Sequence, residues 1–207
     1  IIRDTIEVPA LDWELIDKNI AHIEIYHFTQ KSGIEFAKAA MQIKRSGAEK
    51  IILDLRNNPG GYLEIAREIS GYFLNRGEVV VIEDTGKGQE EFKAQGNPIF
   101  LNYPLVILIN QGSASASEIL AGALRSNKGT KLIGEKSFGK GSVQELINLR
   151  DGASLKVTIA KWLTPSGETI EETGLEPDIR VEMTEEDINN GKDPQLDKAI
   201  EVLNSEL

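Results

Sequence analysis

The sequence predicts an α/β fold in which a partly parallel sheet is flanked by helices and joined by an antiparallel β part. Two short apolar runs, Lys50 to Leu55 and Leu105 to Ile109, are typical of buried parallel strands. Each leads through a glycine-bearing turn into a segment with apolar residues at helical spacing. Val143 to Leu149 and Ser154 to Ile159 flank Asp151-Gly152, a favourable hairpin turn. Alternating strands and helices followed by a hairpin favour a mixed α/β architecture.

The N-terminal part is predicted to supply two strands and a helix before the first buried strand. Ile1 to Val8 alternates apolar and polar residues, and Ile20 to Tyr26 has the composition of a strand. The segment from 10 to 19 is ambiguous. Ser32 to Gly47 has a serine at its start, apolar residues at helical spacing and a closing glycine, which predicts a helix.

The middle of the chain is predicted to alternate between helices and strands. Tyr62 to Leu74 and Glu118 to Leu124 carry apolar residues at helical spacing, and Val79 to Ile82 and Lys131 to Gly134 are short strands. The polar, glycine-bearing segment Asp84 to Pro98 is expected to be a hairpin or a mobile loop.

Composition narrows the classes of function. The 207 residues carry a net charge of −10, which argues against nucleic acid or an anionic membrane as a partner. No apolar run approaches the ~18 residues of a membrane helix. The absence of cysteine excludes disulfides, thiolate metal sites and a cysteine nucleophile. The two histidines, His22 and His27, fall in the segment Ile20 to Phe28, and neither sits at a glycine turn or strand end with an orienting carboxylate, as a catalytic base would. With no cysteine and no His-rich motif, no cofactor or metal is expected.

The two glycine turns are candidates for one site, because open α/β sheets place their sites at the carboxyl ends of strands. If the strands before Gly60-Gly61 and Gly112 are neighbours, an N–H of the first turn and the N–H of Ala116 converge on one oxygen, beside Ser115. Simpler interpretations stay open. Ser115 and Glu118 also form the pattern of a helix capping box, and the first glycine pair also suits an ordinary turn.

Five blocks of sequence carry a resemblance to a known family. Together they resemble the signature blocks of the C-terminal processing peptidases, or tail-specific proteases, the serine peptidases of family S41. The resemblance runs from the first residue to about residue 181 with the blocks in family order. The blocks are Arg56-Asn-Asn-Pro-Gly-Gly61, Gly112-Ser-Ala-Ser-Ala-Ser-Glu118, Gly139-Lys-Gly-Ser-Val-Gln144, Ile159-Ala-Lys-Trp-Leu-Thr-Pro-Ser-Gly167 and Gly174-Leu-Glu-Pro-Asp-Ile179.

The resemblance implies a ClpP/crotonase-like core and a Ser-Lys dyad. Ser115 would be the nucleophile, Lys140 the general base, and Gln144 the residue that orients the lysine. A lysine accepts a proton only when its amine is neutral, and burial favours that form, so we expect Lys140 to be desolvated.

The resemblance also implies an oxyanion hole. Its donors would be the N–H of Ala116 and one N–H of the pair Gly60 and Gly61, with Gly61 favoured over Gly60. Ser113 and Ser117 would be structural.

The resemblance further implies a domain organisation, a set of binding partners and a cellular location. Residues 1–19 are expected to be a linker strand and cap segment after a missing PDZ domain, residues 20–181 the peptidase core, and residues 182–207 an acidic helical tail, solvated rather than used for assembly. The expected partner is a polypeptide substrate, cut towards its C-terminal tail, with a PDZ domain in the full-length chain and an oligomer as an option. Family members suggest an extracytoplasmic, periplasmic or membrane-anchored location.

Two other classes of function remain open at the level of sequence. One is a non-catalytic module on the same fold that binds small ligands or peptides, against which the presence of both Ser115 and Lys140 counts. The other is a crotonase-like acyl-CoA enzyme, although the chain has no basic signature for the CoA phosphates.

Overall fold

Ten strands and five α-helices make up the part of the chain that the computed structural model describes, residues 9–205. The elements in chain order are β1 (Leu11–Ile16), β2 (Ile20–Ile25), α1 (Gln30–Ser46), β3 (Lys50–Asp54), α2 (Leu63–Ser70), β4 (Val79–Asp84), β5 (Gln89–Lys93), β6 (Leu105–Ile109), α3 (Ala116–Lys128), β7 (Lys131–Gly134), β8 (Ser142–Asn148), β9 (Ser154–Leu163), β10 (Ile179–Arg180), α4 (Glu185–Asn189) and α5 (Pro194–Ser205).

Six of the strands form the central sheet, in the order β1-β2-β3-β6-β7-β10. Only β1 is antiparallel to its neighbour, and the other pairings are parallel. Every residue of β3 and of β6 is buried, as the continuous apolar runs predict for strands covered on both faces. Because β3 and β6 are hydrogen-bonded neighbours, the two turns that follow them lie side by side.

Alternate residues of these strands pack into two separate cores. Ile51, Leu53 and Ile107 face the larger core, with α1, α2 and α3, while Ile52 and Val106 face a smaller one with α5. The period of two along each strand produces this division. The smaller core is closed by three apolar residues of α5 that recur at helical spacing, namely Ala199, Val202 and Leu203.

The remaining strands form an antiparallel sheet in the order β5-β4-β9-β8. The hairpin of β8 and β9 is the one predicted around Asp151-Gly152, and it leaves β8 at the edge. The hairpin of β4 and β5 confirms the first of the two expectations for residues 84–98. The predicted mixed α/β fold is therefore confirmed.

Some predictions need correction or lie outside the described residues. The predicted strand Ile1 to Val8 lies outside them, and the ambiguous segment from 10 to 19 contains β1. The expectation of a solvated tail is wrong for α5, because its apolar stripe is buried against the sheet. The helix predicted to reach Leu74 ends at Ser70, where Gly71 begins a series of turns. No helix within residues 9–205 is long and apolar enough to cross a bilayer.

Candidate active site

The turn after β3 and the turn after β6 are joined by direct hydrogen bonds. The Ala114 amide donates to the carbonyl of Asn58 at 3.0 Å, and the Ser117 hydroxyl donates to the same carbonyl at 2.9 Å. The Ser113 hydroxyl donates to the carbonyl of Leu55 at 2.8 Å. Ser113 and Ser117 are fully buried, so both use their hydroxyls to fasten one turn to the other.

Ser115 lies between these two serines with a different exposure and a strained backbone. It is half-buried. Its backbone φ of 56° and ψ of −113° lie outside the regions that residues other than glycine ordinarily adopt. Such a conformation costs about 1–3 kcal/mol and persists only where the surroundings enforce it. A serine forced into a sharp turn from strand to helix presents its hydroxyl at the end of the sheet, as nucleophilic serines do.

The carboxylate of Glu118 holds the Ser115 turn and the Lys140 loop together. One oxygen, Oε2, accepts from the Ser115 amide at 2.8 Å and from the Lys140 amide at 2.9 Å. The other, Oε1, accepts from the Ser137 hydroxyl at 2.6 Å and from the Gly139 amide at 2.7 Å. The side chain is buried, so four donors replace the water it has lost. The backbones of Ser115 and Lys140 therefore lie within two hydrogen-bond lengths of each other.

Sequence reasoning did not identify this role of Glu118. The capping-box pattern accounts for the bond to the Ser115 amide, but the donors from Ser137 to Lys140 lie 19 to 22 residues further along the chain. One local signal was present. Glu118 is the only charged residue in the otherwise small and apolar stretch from Ala116 to Leu124.

The side chains of Lys140 and Gln144 are exposed, in contrast to the expected desolvation of the lysine. The Lys140 amine makes no hydrogen bond or ion pair with any residue of the part of the chain described here, Ser115 included. Gln144 lies opposite Thr158 in the β8–β9 hairpin, just past a register shift. The backbone of the lysine is thus fixed beside the serine, while its side chain extends into solvent.

The glycine turn after β3 contacts the Ser115 turn closely. A Cβ on Gly60, whose φ is 97°, would lie 2.6 Å from the carbonyl oxygen of Ala114 and 2.8 Å from the Cβ of Ser115. A Cβ on Gly61 would lie 2.1 Å from the carbonyl oxygen of Phe28. Only glycine permits this approach at either position.

The backbone amides of this turn differ in whether they have a hydrogen-bond acceptor. The Gly60 amide donates to the side-chain oxygen of Asn58 at 2.9 Å. Gly61 forms a parallel bridge with Phe28, which turns the Gly61 amide away from that neighbour. Within residues 9–205, neither the Gly61 amide nor the Ala116 amide has a hydrogen-bond acceptor. One of these free N–H groups follows Ser115 in its own turn, and the other lies in the turn that is docked against it.

A buried ion-pair network holds the start of the same glycine turn. Asp54 is the last residue of β3, and its carboxylate accepts hydrogen bonds from the amide and the guanidinium of Arg56. Nη2 of Arg56 lies 2.6 Å from Oδ2 of Asp54. The Arg56 guanidinium also binds Asp193 and Gln195 at the start of α5. Burial alone would raise the pKa of Asp54, but hydrogen bonds from His22 and Arg56 outweigh it and lower that pKa. The turn is therefore tied both to the sheet and to the last helix.

Among residues 9–205, neither histidine forms a hydrogen bond with Ser115. His22 is buried, with Nε2 at 3.1 Å from Asp54 and Nδ1 at 3.5 Å from Glu14. Burial lowers the pKa of His22, but the two carboxylates outweigh burial and raise it. His27 is exposed. Within the described ranges no group of three or more His, Asp or Glu side chains is placed to hold a metal ion.

Comparisons with known proteins identify the family of the chain. The family model for "Peptidase family S41" matches residues 19–181. The "Carboxy-terminal processing protease CtpA" of Bacillus subtilis (strain 168) is 39% identical over 181 residues, which cover 87% of this chain and 39% of the relative. The "Carboxyl-terminal-processing protease" of Picosynechococcus sp. (strain ATCC 27264 / PCC 7002 / PR-6) is 41% identical, over 86% of this chain and 44% of the relative. The chain thus spans less than half the length of these curated relatives.

Solved structures share the fold. A photosystem II D1 C-terminal processing protease superposes with a TM-score of 0.79 at 29% identity, over 87% of this chain and 50% of the other. The tricorn protease superposes with a TM-score of 0.69 at 22% identity, over 91% of this chain and 18% of the other, and shows the fold alone. The matched segment contains both docked turns, the Glu118 carboxylate and the Lys140 loop, and the chain belongs to peptidase family S41.

Proposed function

We propose that this chain is the proteolytic core of a serine endopeptidase that uses Ser115 and Lys140 to hydrolyse peptide bonds. One observation carries the proposal. A single buried carboxylate, Glu118, fixes the strained Ser115 backbone and the Lys140 backbone side by side, at the carboxyl end of the sheet. A structural cap needs neither the strain at the serine nor the second loop on the same carboxylate.

The chemistry follows from the groups that surround the serine. The Ser115 hydroxyl attacks the scissile carbonyl carbon and gives its proton to the neutral amine of Lys140. The carbonyl oxygen becomes an oxyanion, which accepts from the free amides of Gly61 and Ala116. The protonated lysine returns the proton to the leaving amine as the peptide bond breaks. Water, deprotonated by the same lysine, then hydrolyses the acyl-serine and restores both side chains.

Substrate binding has a second task in this scheme. Lys140 is exposed in the structure, and an amine accepts a proton only in its neutral form. A polypeptide lying over the site removes water from the amine and so favours its neutral form. Gln144 follows in the adjacent strand, and we assign to its amide the task of orienting the lysine once the substrate is bound.

The finer features of the function are also proposals. We propose that cleavage falls towards C-terminal tails, that a PDZ domain accompanies this core in the full-length protein, and that the protein acts outside the cytoplasm. The processing proteases of Bacillus and Picosynechococcus support the first of these by their names.

The test separates a base from a fixed positive charge at Lys140. Arginine keeps the charge and most of the donors of lysine, but it does not lose its proton in a protein. We expect Lys140→Arg to be as inactive towards unfolded casein as Lys140→Ala, with turnover reduced by about 10³-fold or more in both. Circular dichroism checks that both variants fold.

Two controls decide the outcome. Ser115→Ala must abolish cleavage, and Lys136→Arg, an exposed lysine of the same loop paired with Glu176, should cut casein at the wild-type rate. Appreciable turnover by Lys140→Arg would refute the base. Casein cleavage that survives in Ser115→Ala would refute the role of the serine as nucleophile. A folded wild-type chain that does not cut casein would leave a binding module or a crotonase-like acyl-CoA enzyme to consider.

A further inference from the structure

The strand β8 has one backbone side without a partner. The order β5-β4-β9-β8 puts it at the edge of the antiparallel sheet, and within residues 9–205 it pairs with β9 alone. An unpaired edge presents a row of N–H and C=O groups that can bind another strand. Proteins normally protect such edges, so the composition of β8 is informative.

The two edge strands of this sheet differ in that protection. Three of the five residues of β5 are charged, namely Glu90, Glu91 and Lys93, which discourages pairing with another chain. β8 is seven residues long, contains no proline, and has Glu145 as its only charge. Leu146, in its middle, is 60% exposed. The β5 edge of the sheet therefore carries charges that disfavour pairing with another chain, whereas the β8 edge is open to it.

The pairing with β9 determines which groups face the open side. At one end the Trp162 amide donates to the Gly141 carbonyl, and at the other the Leu149 amide donates to the Ala153 carbonyl. Residues opposite one another in an antiparallel ladder alternate between bonded and non-bonded pairs. The register shift places its extra residue in β9, so the alternation along β8 is unbroken. The backbones of 144, 146 and 148 therefore face outward, and those of 143, 145 and 147 face β9.

The outward side of β8 is continuous with the side of the loop that faces Ser115. The Gly141 amide donates to Glu171 and the Gly139 carbonyl accepts from Glu172, both on the side of β9. The Lys140 amide between them points the other way and donates to Glu118, which also holds the Ser115 amide. A chain paired with the open side of β8 therefore extends along the strand towards Ser115 and Lys140.

We propose that an extended segment of the polypeptide substrate adds to the open edge of β8 as a further strand. This inference rests on the proposed function and specifies its substrate class: unfolded chain that offers free backbone groups over about 20 Å, the length of this strand. Main-chain pairing tolerates many side-chain sequences, but it excludes folded segments and disfavours proline at alternate positions. A second copy of this chain is the competing occupant, and the continuity of the edge with Ser115 favours the substrate.

Amide exchange tests the pairing without any need for cleavage. In Ser115→Ala, the amides of Gln144, Leu146 and Asn148 should exchange freely, and saturating unfolded casein should slow them by about tenfold or more. The amides of Glu145 and Ile147 already bond to β9 and are the internal control. Unchanged exchange at the three outward amides at the highest casein concentration overturns the proposal. Protection that grows with protein concentration, without casein, also overturns it and assigns the edge to a second copy.

A matched pair of variants tests the same point by affinity. Leu146→Pro removes an outward N–H that β9 does not use, whereas Leu146→Ala removes the side chain and keeps that N–H. We expect the proline variant to bind casein about fivefold more weakly than the alanine variant, which is the effect of one lost hydrogen bond. Equal affinities contradict the proposal. Failure of the proposed function shows separately, as casein cleavage that does not require Ser115.

Discussion

At the scale of single residues, the site depends on how Glu118 offsets the strain at Ser115. A serine with a φ of 56° and a ψ of −113° relaxes unless its neighbours hold it. The carboxylate holds the Ser115 amide on one side and three groups of the Lys140 loop on the other. Because all four of these groups donate and each oxygen accepts two of them, the site requires a carboxylate at this position.

Glu118→Gln tests this requirement. Glutamine has one acceptor oxygen, so its NH₂ group faces two of the four donors, and each buried donor left unpaired costs about 1–3 kcal/mol. We expect the free energy of unfolding to fall by about 2 kcal/mol or more, and casein turnover to fall further than stability explains. Urea unfolding and initial cleavage rates provide the two measurements.

The matched control lies on the neighbouring helix. Glu64 occupies the first turn of α2, as Glu118 does in α3, but it is exposed. Glu64→Gln should change neither stability nor turnover appreciably. If Glu118→Gln behaved like that control, the carboxylate would not be what orders the two loops.

At the scale of elements, His22 joins three strands through its two nitrogens. It lies on β2, between Glu14 of β1 and Asp54 of β3. Its pKa is raised above the ordinary 6.5 of histidine because the two carboxylates outweigh burial. The stabilisation from His22 is therefore complete below pH 6.5 and is lost as the pH rises through the raised value. Asp54, whose pKa is lowered from 3.8, has the opposite dependence and loses its contribution only in acid.

His22→Gln should therefore destabilise the protein more at about pH 5.5 than at about pH 9. Urea unfolding at the two pH values measures the difference. His27→Gln, at an exposed histidine two residues past the end of β2, should cost little at either pH. A penalty for His22→Gln that does not shrink as the pH rises would show that the protonated ring contributes no stability.

At the scale of the whole molecule, Arg56 connects the site to the last helix. Its guanidinium reaches Asp54 on the sheet and Asp193 at the start of α5, with only 13% of the side chain exposed. Lys50 reinforces the same connection with a 2.9 Å bond to Asn204. The apolar stripe of α5 and these polar contacts together fasten the helix beneath the glycine turn.

Arg56→Met should be strongly destabilising, because it leaves a buried carboxylate without its cationic partner. We expect a loss of about 3 kcal/mol in the free energy of unfolding. Arg180→Met removes an arginine that pairs with Glu182 on the surface, with 74% of its side chain exposed, and should cost less than about 1 kcal/mol. Equal losses in urea unfolding for the two variants would contradict a buried, coupled network.

Features encoded by local pattern were predictable from the sequence, and features encoded by distant contacts were not. The apolar runs identified β3 and β6, and the bounds predicted for β7 match the structure. β10 was missed, since two residues carry no periodicity. The shared carboxylate of Glu118 was missed, because three of its four partners lie in another loop.

The C-terminal helix was misjudged for a different reason. The abundance of acidic residues suggested solvation, although Ala199, Val202 and Leu203 recur at the spacing of a buried helix face. For the site, the pairing of Ser115 with Lys140 came from the resemblance to a family. The exposure of the Lys140 side chain is a property of tertiary structure that neither motif nor spacing encodes.

The bond between Arg56 and Asp193 also sets an order of events during biosynthesis. It joins residues 137 positions apart, so the anchor of the glycine turn does not exist until nearly the whole described chain has left the ribosome. Contacts of such long sequence separation form late in folding, because the intervening chain must first be ordered. The last helix therefore docks only after the Ser115 turn and the glycine turn have both been synthesised.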